Sequence, residues 1–253
     1  MDKKYWVPSL DKANNILTLI AENPGKYRLI DISKETNINK SSVYSLLNTL
    51  THLDWVTKKG NETYSLGVKI VSLSSLQLKG DNLVNIFLEE SSNFIDKLNE
   101  TMQISTLSKR DILYLAKKEG NSSVRLVSDP GMKMPAHATA MGKVLLSDYT
   151  FDELIKLYPE IELESRTPYT VKTVEDLYAQ IASLNNNNYI IEQEEIAEGF
   201  CCIASPIKNN AEEIIAAISM TIPKHNWEEK KEGAKKIIDN LAKRISLKAG
   251  YLT

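Results

Sequence analysis

Cysteine is nearly missing from this chain: the only two among its 253 residues are the adjacent pair Cys201-Cys202. Such a pair builds no disulfide framework and fits a reducing interior. No two of the ten glycines are separated by a single residue, so the G-x-G of a dinucleotide fingerprint is absent. A G-x4-GK[ST] phosphate loop is absent too. There is no G-x-S-x-G nucleophile elbow, no HExxH and no CxxC. The three histidines, His52, His137 and His225, lie far apart. The sequence therefore predicts no catalytic residues, no cofactor and no metal site. No apolar run approaches the roughly 18 residues that span a bilayer. The opening MDKKYWVPSLDK has no signal-peptide core. The expectation is a cytoplasmic protein without membrane contact.

What is present is an ordinary globular balance, 42% hydrophobic and 25% charged, in a chain long enough for two domains. The net charge of −2 argues against a wholly basic nucleic-acid coat protein. It leaves room for a small DNA-reading domain. Residues 1–67 carry nine basic and seven acidic side chains, a small excess of the sign DNA requires.

That first segment reads as three helices and a hairpin. Leu10, Ala13, Ile16, Leu17 and Ile20 recur at helical spacing until Asn23-Pro24-Gly25 stops them. Leu29, Ile30 and Ile32 open a second helix ending near Thr36-Asn37. Asn39 stands as N-cap of a third, from Lys40 to about Leu53. Val43, Leu46, Leu47 and Leu50 form its apolar face, and Ser41, Ser42, Tyr44, Ser45, Asn48 and Thr49 populate the other. Asp54–Lys59 and Thr63–Leu66, joined at Gly60-Asn61, read as a β-hairpin. Two short helices joined by a tight turn, the second polar on one side, make a helix-turn-helix pattern, and the hairpin supplies a wing. A three-helix packing domain with a merely solvated polar face fits the same pattern.

Val68 to Asn99 is helical in pattern, broken at Gly80-Asp81, and its first part carries apolar surface suited to pairing with a second copy of the chain. From Met102 the character changes. Strands are expected at Gln103–Leu107, Ile112–Lys117, Ser123–Ser128, Tyr189–Glu194, Phe200–Ile207 and Ile214–Ile222. Helices are expected at Ala138–Ser147, Phe151–Leu157, Val174–Asn185 and Trp227–Lys248. The second domain is thus α+β, with helices against a mainly antiparallel sheet.

SLDKANNILTLI, ISKETNINKSSVYSLLNTL and the following YSLG resemble the winged helix-turn-helix of the IclR family of bacterial transcriptional regulators. PAHATAMGKVLLS is similar to that family's PxHxTxxGKxxLA stretch, and EQEEIAEGFCCIASPI with IIAAISMTIP to its signature over the ligand-binding sheet. The resemblance covers essentially the whole chain. It implies a DNA-binding domain at 1–67, a linker helix at 68–80 and a GAF-like effector domain at 81–253. It also implies a homodimer or homotetramer, a double-stranded operator, and an effector that is a small organic or sugar acid, most often acting on a repressor. Three positions depart from the family: Ser45 stands where Arg is frequent, Glu192 where Asp is common, and Lys208 where an aromatic residue or His is usual.

For DNA contact the candidates are Lys40, Ser41, Ser42, Tyr44, Ser45 and Asn48 in the third helix, with Lys58 and Lys59 in the wing. For the effector, the family's pocket positions fall on Leu126, Ala140, Met141, Glu192, Cys202, Ser219 and Thr221. Physical reasons support several of them. Ser219 and Thr221 share one face of a strand whose other face is Ile218, Met220 and Ile222. Their hydroxyls must find partners or cost about 1–3 kcal/mol each. The helix opening at Ala138–Gly142 offers free amides to a carboxylate. His137 reads better as a loop residue bonding a carbonyl than as a base or ligand, and either cysteine is open to reading as plain core. An enzyme acting on a small organic acid in the second domain remains the rival reading. A protein-interaction module with a vestigial helix-turn-helix is a third.

Overall fold

Pro8 opens the first helix, α1 (Pro8–Glu22), where a missing N–H is harmless. α2 (Leu29–Thr36) ends on Asn37, whose left-handed backbone (φ 54°) makes the tight turn. Two residues later the Asn39 side chain accepts the amide of Ser42 at 2.8 Å and caps α3 (Lys40–His52). Strands β1 (Val56–Lys58) and β2 (Tyr64–Leu66) pair antiparallel as the wing. Ile16, Ile20, Ile32, Val43, Leu47, Leu50 and Val56 interlock beneath them as one core. At the end of the wing a Cβ on Gly67 would lie 2.2 Å from the carbonyl oxygen of Asp54, so only glycine fits that return of the chain.

The computed structural model describes residues 6–73, 83–122, 126–160 and 162–250, and the chain divides at Gly80/Asp81 into two units. Helix α4 covers 68–73; the rest of the expected linker helix and its break at Gly80-Asp81 lie outside the described residues.

The second unit is built on a six-stranded sheet. Its strands are β3 (Thr101–Ser108), β4 (Asp111–Lys118), β5 (Lys133–Pro135), β6 (Ile190–Gln193), β7 (Phe200–Lys208) and β8 (Ile214–Pro223). They lie in the order β5-β4-β3-β8-β7-β6, and every pairing is antiparallel. α5 (Leu83–Ser92), α6 (Ile95–Leu98) and the long α11 (Lys224–Gly250) pack on one face. Met102, Ile104, Cys201, Ile218, Met220 and Ile222 meet Phe87, Trp227, Ile238, Leu241 and Ile245 there. The other face carries the 3-10 turn Ala136–Ala138 and α7 (Ala140–Leu145), α8 (Phe151–Leu157), α9 (Val174–Ile181) and α10 (Leu184–Asn187).

Three expectations fail locally. Of the strand at Ser123–Ser128, residues 126–128 are irregular and 123–125 lie outside the described residues. Beyond them Gly131 turns with φ 89°, and the unforeseen β5 pairs with β4 instead. Three residues with a proline carry little pattern, and an edge position tolerates that proline. The last helix begins at Lys224 rather than Trp227, immediately after Pro223 closes β8. The expected helix Val174–Asn185 is broken at Ala182-Ser183 into α9 and α10, and Asn188, left-handed at φ 58°, ends α10.

Candidate functional sites of the two units

The polar face of α3 is open to solvent. Lys40, Ser41, Tyr44, Ser45 and Asn48 are exposed and Ser42 is half-buried, while Val43, Leu47 and Leu50 turn inward. Tyr44, a large aromatic, leaves 59% of its surface uncovered. The hydroxyl of Ser41 donates to Asn39 at 2.8 Å, so its lone pairs rather than its proton are left for a partner. A cleft of about 340 Å³ runs along this helix, lined by Ser41, Ser42, Ser45 and Leu46 and by Ser9 and Lys12 of α1. Sequence reasoning passed over Ser9 and Lys12, although Lys12 was the one cation of α1. In the wing, Lys58 and Lys59 are exposed, but Lys58 is ion-paired with Glu62, whose carboxylate raises its pKa.

In the second unit, strand alternation and the α7 N-terminus converge on one small cavity. It is lined by Tyr114, Leu126, Thr139, Ala140, Met141, Ile196, Cys202, Ser219 and Thr221. Thr139 caps α7 by accepting the amide of Gly142 at 3.1 Å, which leaves the amides of Ala140 and Met141 as the first two of the helix. A Cβ on Gly142 would sit 2.1 Å from the carbonyl oxygen of Ala136, so glycine is what allows α7 to start against the 3-10 turn. The cavity measures about 10 Å³, the room of a single water.

The two hydroxyls are not waiting for a ligand. Ser219 donates to Oε1 of Gln103 at 3.0 Å, and Thr221 lies 3.4 Å from the same oxygen. Nε2 of Gln103 in turn reaches Oγ1 of Thr221 and Oγ of Ser128, each at 3.2 Å. The thiol of Cys202 lies 3.6 Å from the Thr221 hydroxyl. Their polar partner is thus inside the fold, on the neighbouring strand. Strand alternation gives the face of Gln103 but not its partner: Met102 and Ile104 face α11, so Gln103 and Ser105 share the face of Ser219 and Thr221.

Glu192 is the one effector candidate that does not line the cavity. It sits opposite Cys202 in the β6–β7 ladder, almost fully buried. One carboxylate oxygen accepts the amide of Glu195 at 2.8 Å, and the other has no partner among the described residues. Burial pushes its pKa up to about 7 against the Cys202 thiol, the Glu195 amide and the Lys143 charge. Burial, then the Glu192 charge, holds the Cys202 thiol well above its ordinary range. Nearby, Lys143 is ion-paired with Glu195, which sequence reasoning did not anticipate. His137 bonds the carbonyl of Glu164 at 2.8 Å, and burial lowers its pKa.

Comparison with known proteins decides what this pair of sites belongs to. The description "IclR helix-turn-helix domain" matches residues 9–60, and "Bacterial transcriptional regulator IclR C-terminal" matches residues 76–247. The chain belongs to the IclR family. It is 28% identical over 247 residues to the HTH-type transcriptional regulator KdgR of Dickeya chrysanthemi, covering 97% of this chain and 81% of that protein. It is 26% identical over 220 residues to the HTH-type transcriptional repressor AllR of Salmonella typhimurium, covering 85% and 79%. An IclR homolog from Microbacterium hydrocarbonoxydans, crystallised with 4-hydroxybenzoate, shares the fold with a TM-score of 0.86 at 18% identity, over 97% of this chain and 100% of that one. IclR proteins are DNA-binding transcriptional regulators and not enzymes, which removes the rival catalytic reading. No helix among the described residues is long and apolar enough to cross a membrane.

Proposed function

We propose that this IclR-family regulator is a cytoplasmic repressor whose second unit binds a small organic or sugar acid and thereby alters its hold on operator DNA. Lys40, Ser41, Ser42, Tyr44, Ser45 and Asn48 would enter the major groove, with Lys58 and Lys59 on the flanking backbone. Ser9 and Lys12, across the α3 cleft, would add a phosphate contact.

The observation that carries the effector reading is the convergence of Ser219, Thr221 and Cys202 with the first residues of α7 around one buried space. Hydroxyl donors beside two amides at a helix start suit a carboxylate better than a cation or an apolar ligand. The relative named as a repressor and the homolog crystallised with a hydroxy acid point the same way. Val68 and Val71 of α4 expose 69% and 63% of their surface, which favours assembly with a second copy through this helix. An effector that binds one DNA-spacing state about 100-fold more tightly than the other shifts the balance by about 2.7 kcal/mol.

The test is a thermal-shift screen of organic and sugar acids on the whole chain, repeated on the Ser219→Ala, Thr221→Val variant. An acid that stabilises the wild type should lose about 1–3 kcal/mol of binding in the variant. Because both hydroxyls serve Gln103, the variant should also be less stable without ligand, by a similar amount. Undiminished stabilisation by the acid would place the effector elsewhere.

A further inference from the structure

Gln103 is hydrogen-bonded to residues that line two separate spaces. On its inner side are Ser219 and Thr221, which line the buried cavity. On its outer side is Ser128, which lines a surface cleft of about 160 Å³ together with Thr101, Lys117, Leu126 and Asp129. Leu126 belongs to both linings. Gln103 is 1% exposed, and both ends of its amide are hydrogen-bonded. Lys117 lies opposite Gln103 in the β3–β4 ladder and is ion-paired with Glu119 at 2.6 Å and with Asp129 at 2.7 Å. A space of about 10 Å³ cannot take even a two-carbon acid, so something polar must leave before a ligand enters.

We propose that Gln103 is the partition between cleft and cavity, and that a small carboxylate enters by displacing its side chain and taking over the hydroxyls of Ser219 and Thr221. This rests on the effector reading given above. A carboxylate is isosteric with the carboxamide and accepts from both hydroxyls as Oε1 now does. Lys117, the one cation among the described residues that line the outer cleft, is held there between Asp129 and Glu119. The displaced amide sets the selection: a ligand must replace a hydrogen-bonded planar group, so alcohols and apolar molecules gain nothing by entering. Displacement also frees Ser128, which hands the event to the 126–129 segment. The competition reduces apparent affinity to the intrinsic value multiplied by the fraction of molecules whose Gln103 is already withdrawn.

Replacing Gln103 with Ala removes the equivalent of an acetamide, and acetate is the probe that fits. Thermal unfolding of the whole chain is measured in sodium acetate and in sodium chloride of equal ionic strength. Acetate should stabilise the Gln103→Ala variant with an apparent affinity at least about tenfold above that for the wild type. Equal affinity in the two proteins, or no acetate effect on a folded variant, overturns the partition. If Gln103→Ala does not fold, Gln103→Asn, which keeps an amide one methylene shorter, takes the same test with the same outcomes. Should neither fold, the side-chain NH2 resonances of Gln103 in the wild type decide: acetate should shift them, and resonances that stay in place overturn the proposal. An acid that stabilises the wild type and loses its effect in the Ser219→Ala, Thr221→Val variant keeps the pocket reading alive even where the Gln103 variants behave like wild type.

Discussion

The ammonium group of Lys143 is paired with the carboxylate of Glu195 inside the second unit, with none of the lysine side chain exposed. Burial drives the Lys143 pKa down, and Glu195 opposes that shift. The second oxygen of Glu195 accepts the amide of Val171 at 3.1 Å, and its backbone carbonyl accepts the Thr170 hydroxyl at 2.6 Å. One ion pair therefore ties α7 to the segment after β6 and to the loop before α9.

Breaking such a pair from one side strands a buried charge. Glu195→Gln should destabilise the protein by about 3–5 kcal/mol, and adding Lys143→Met should recover most of that loss. Urea unfolding of the two single variants and the double variant closes the cycle. A double variant as unstable as Glu195→Gln would show that the cost lies in the Glu195 backbone contacts rather than in the charge.

Glu192 makes stability depend on pH in a stated direction. Its folded pKa of about 7 lies above its ordinary value of 4.5, so the folded state holds a proton that the unfolded state has released. Its contribution is complete below pH 4.5 and is lost as pH rises through 7. The span corresponds to about 3 kcal/mol. Unfolding free energy of wild type minus that of Glu192→Gln, measured from pH 4.5 to 8, should fall by this order. A difference that stays flat would show that the carboxyl is charged throughout.

Two charges should move DNA binding in opposite directions. Lys40→Ala removes one phosphate contact and should reduce the slope of log affinity against log salt by about 0.9. Glu62→Gln frees Lys58 from its ion pair and should tighten binding, with a steeper slope. Titration of a duplex of random sequence at several salt concentrations reads both. If Glu62→Gln leaves affinity and slope unchanged, the wing lysine does not reach the backbone.

Asn39 holds the start of α3, and its loss should be felt locally. Asn39→Ala removes the acceptor for the Ser42 amide, at a cost of about 1 kcal/mol. Amide exchange in α3 should accelerate about fivefold, with the β7–β8 amides unchanged. Acceleration spread over both units would mean that they open together.

The sequence revealed what alternates or repeats locally and little of what meets across distance. α3, its Asn39 cap and its polar face follow from periods and a capping residue within one segment. The alternation of β8 sufficed to set Ser219 and Thr221 against the face of Ile218 and Met220. Gln103 and Lys143 stayed hidden as partners because Gln103 meets Thr221 across 118 residues and Lys143 meets Glu195 across 52. No local spacing announces such pairs. Glu192 was placed in the pocket by resemblance, but it lies one strand outward, opposite Cys202, and is not among the cavity's lining residues.

Cys201 and Cys202 are neighbours in the chain and strangers in the fold. Strand β7 sends Cys201 into the core beneath α11 and Cys202 to the cavity on the opposite face. Chemically the pair is therefore not a dithiol. A trivalent arsenical, which needs two sulfurs on one side, finds no chelate while β7 stays between its neighbours β6 and β8. A vicinal disulfide is closed off for the same reason. Two thiols adjacent in the sequence are kept apart by the thickness of a single sheet.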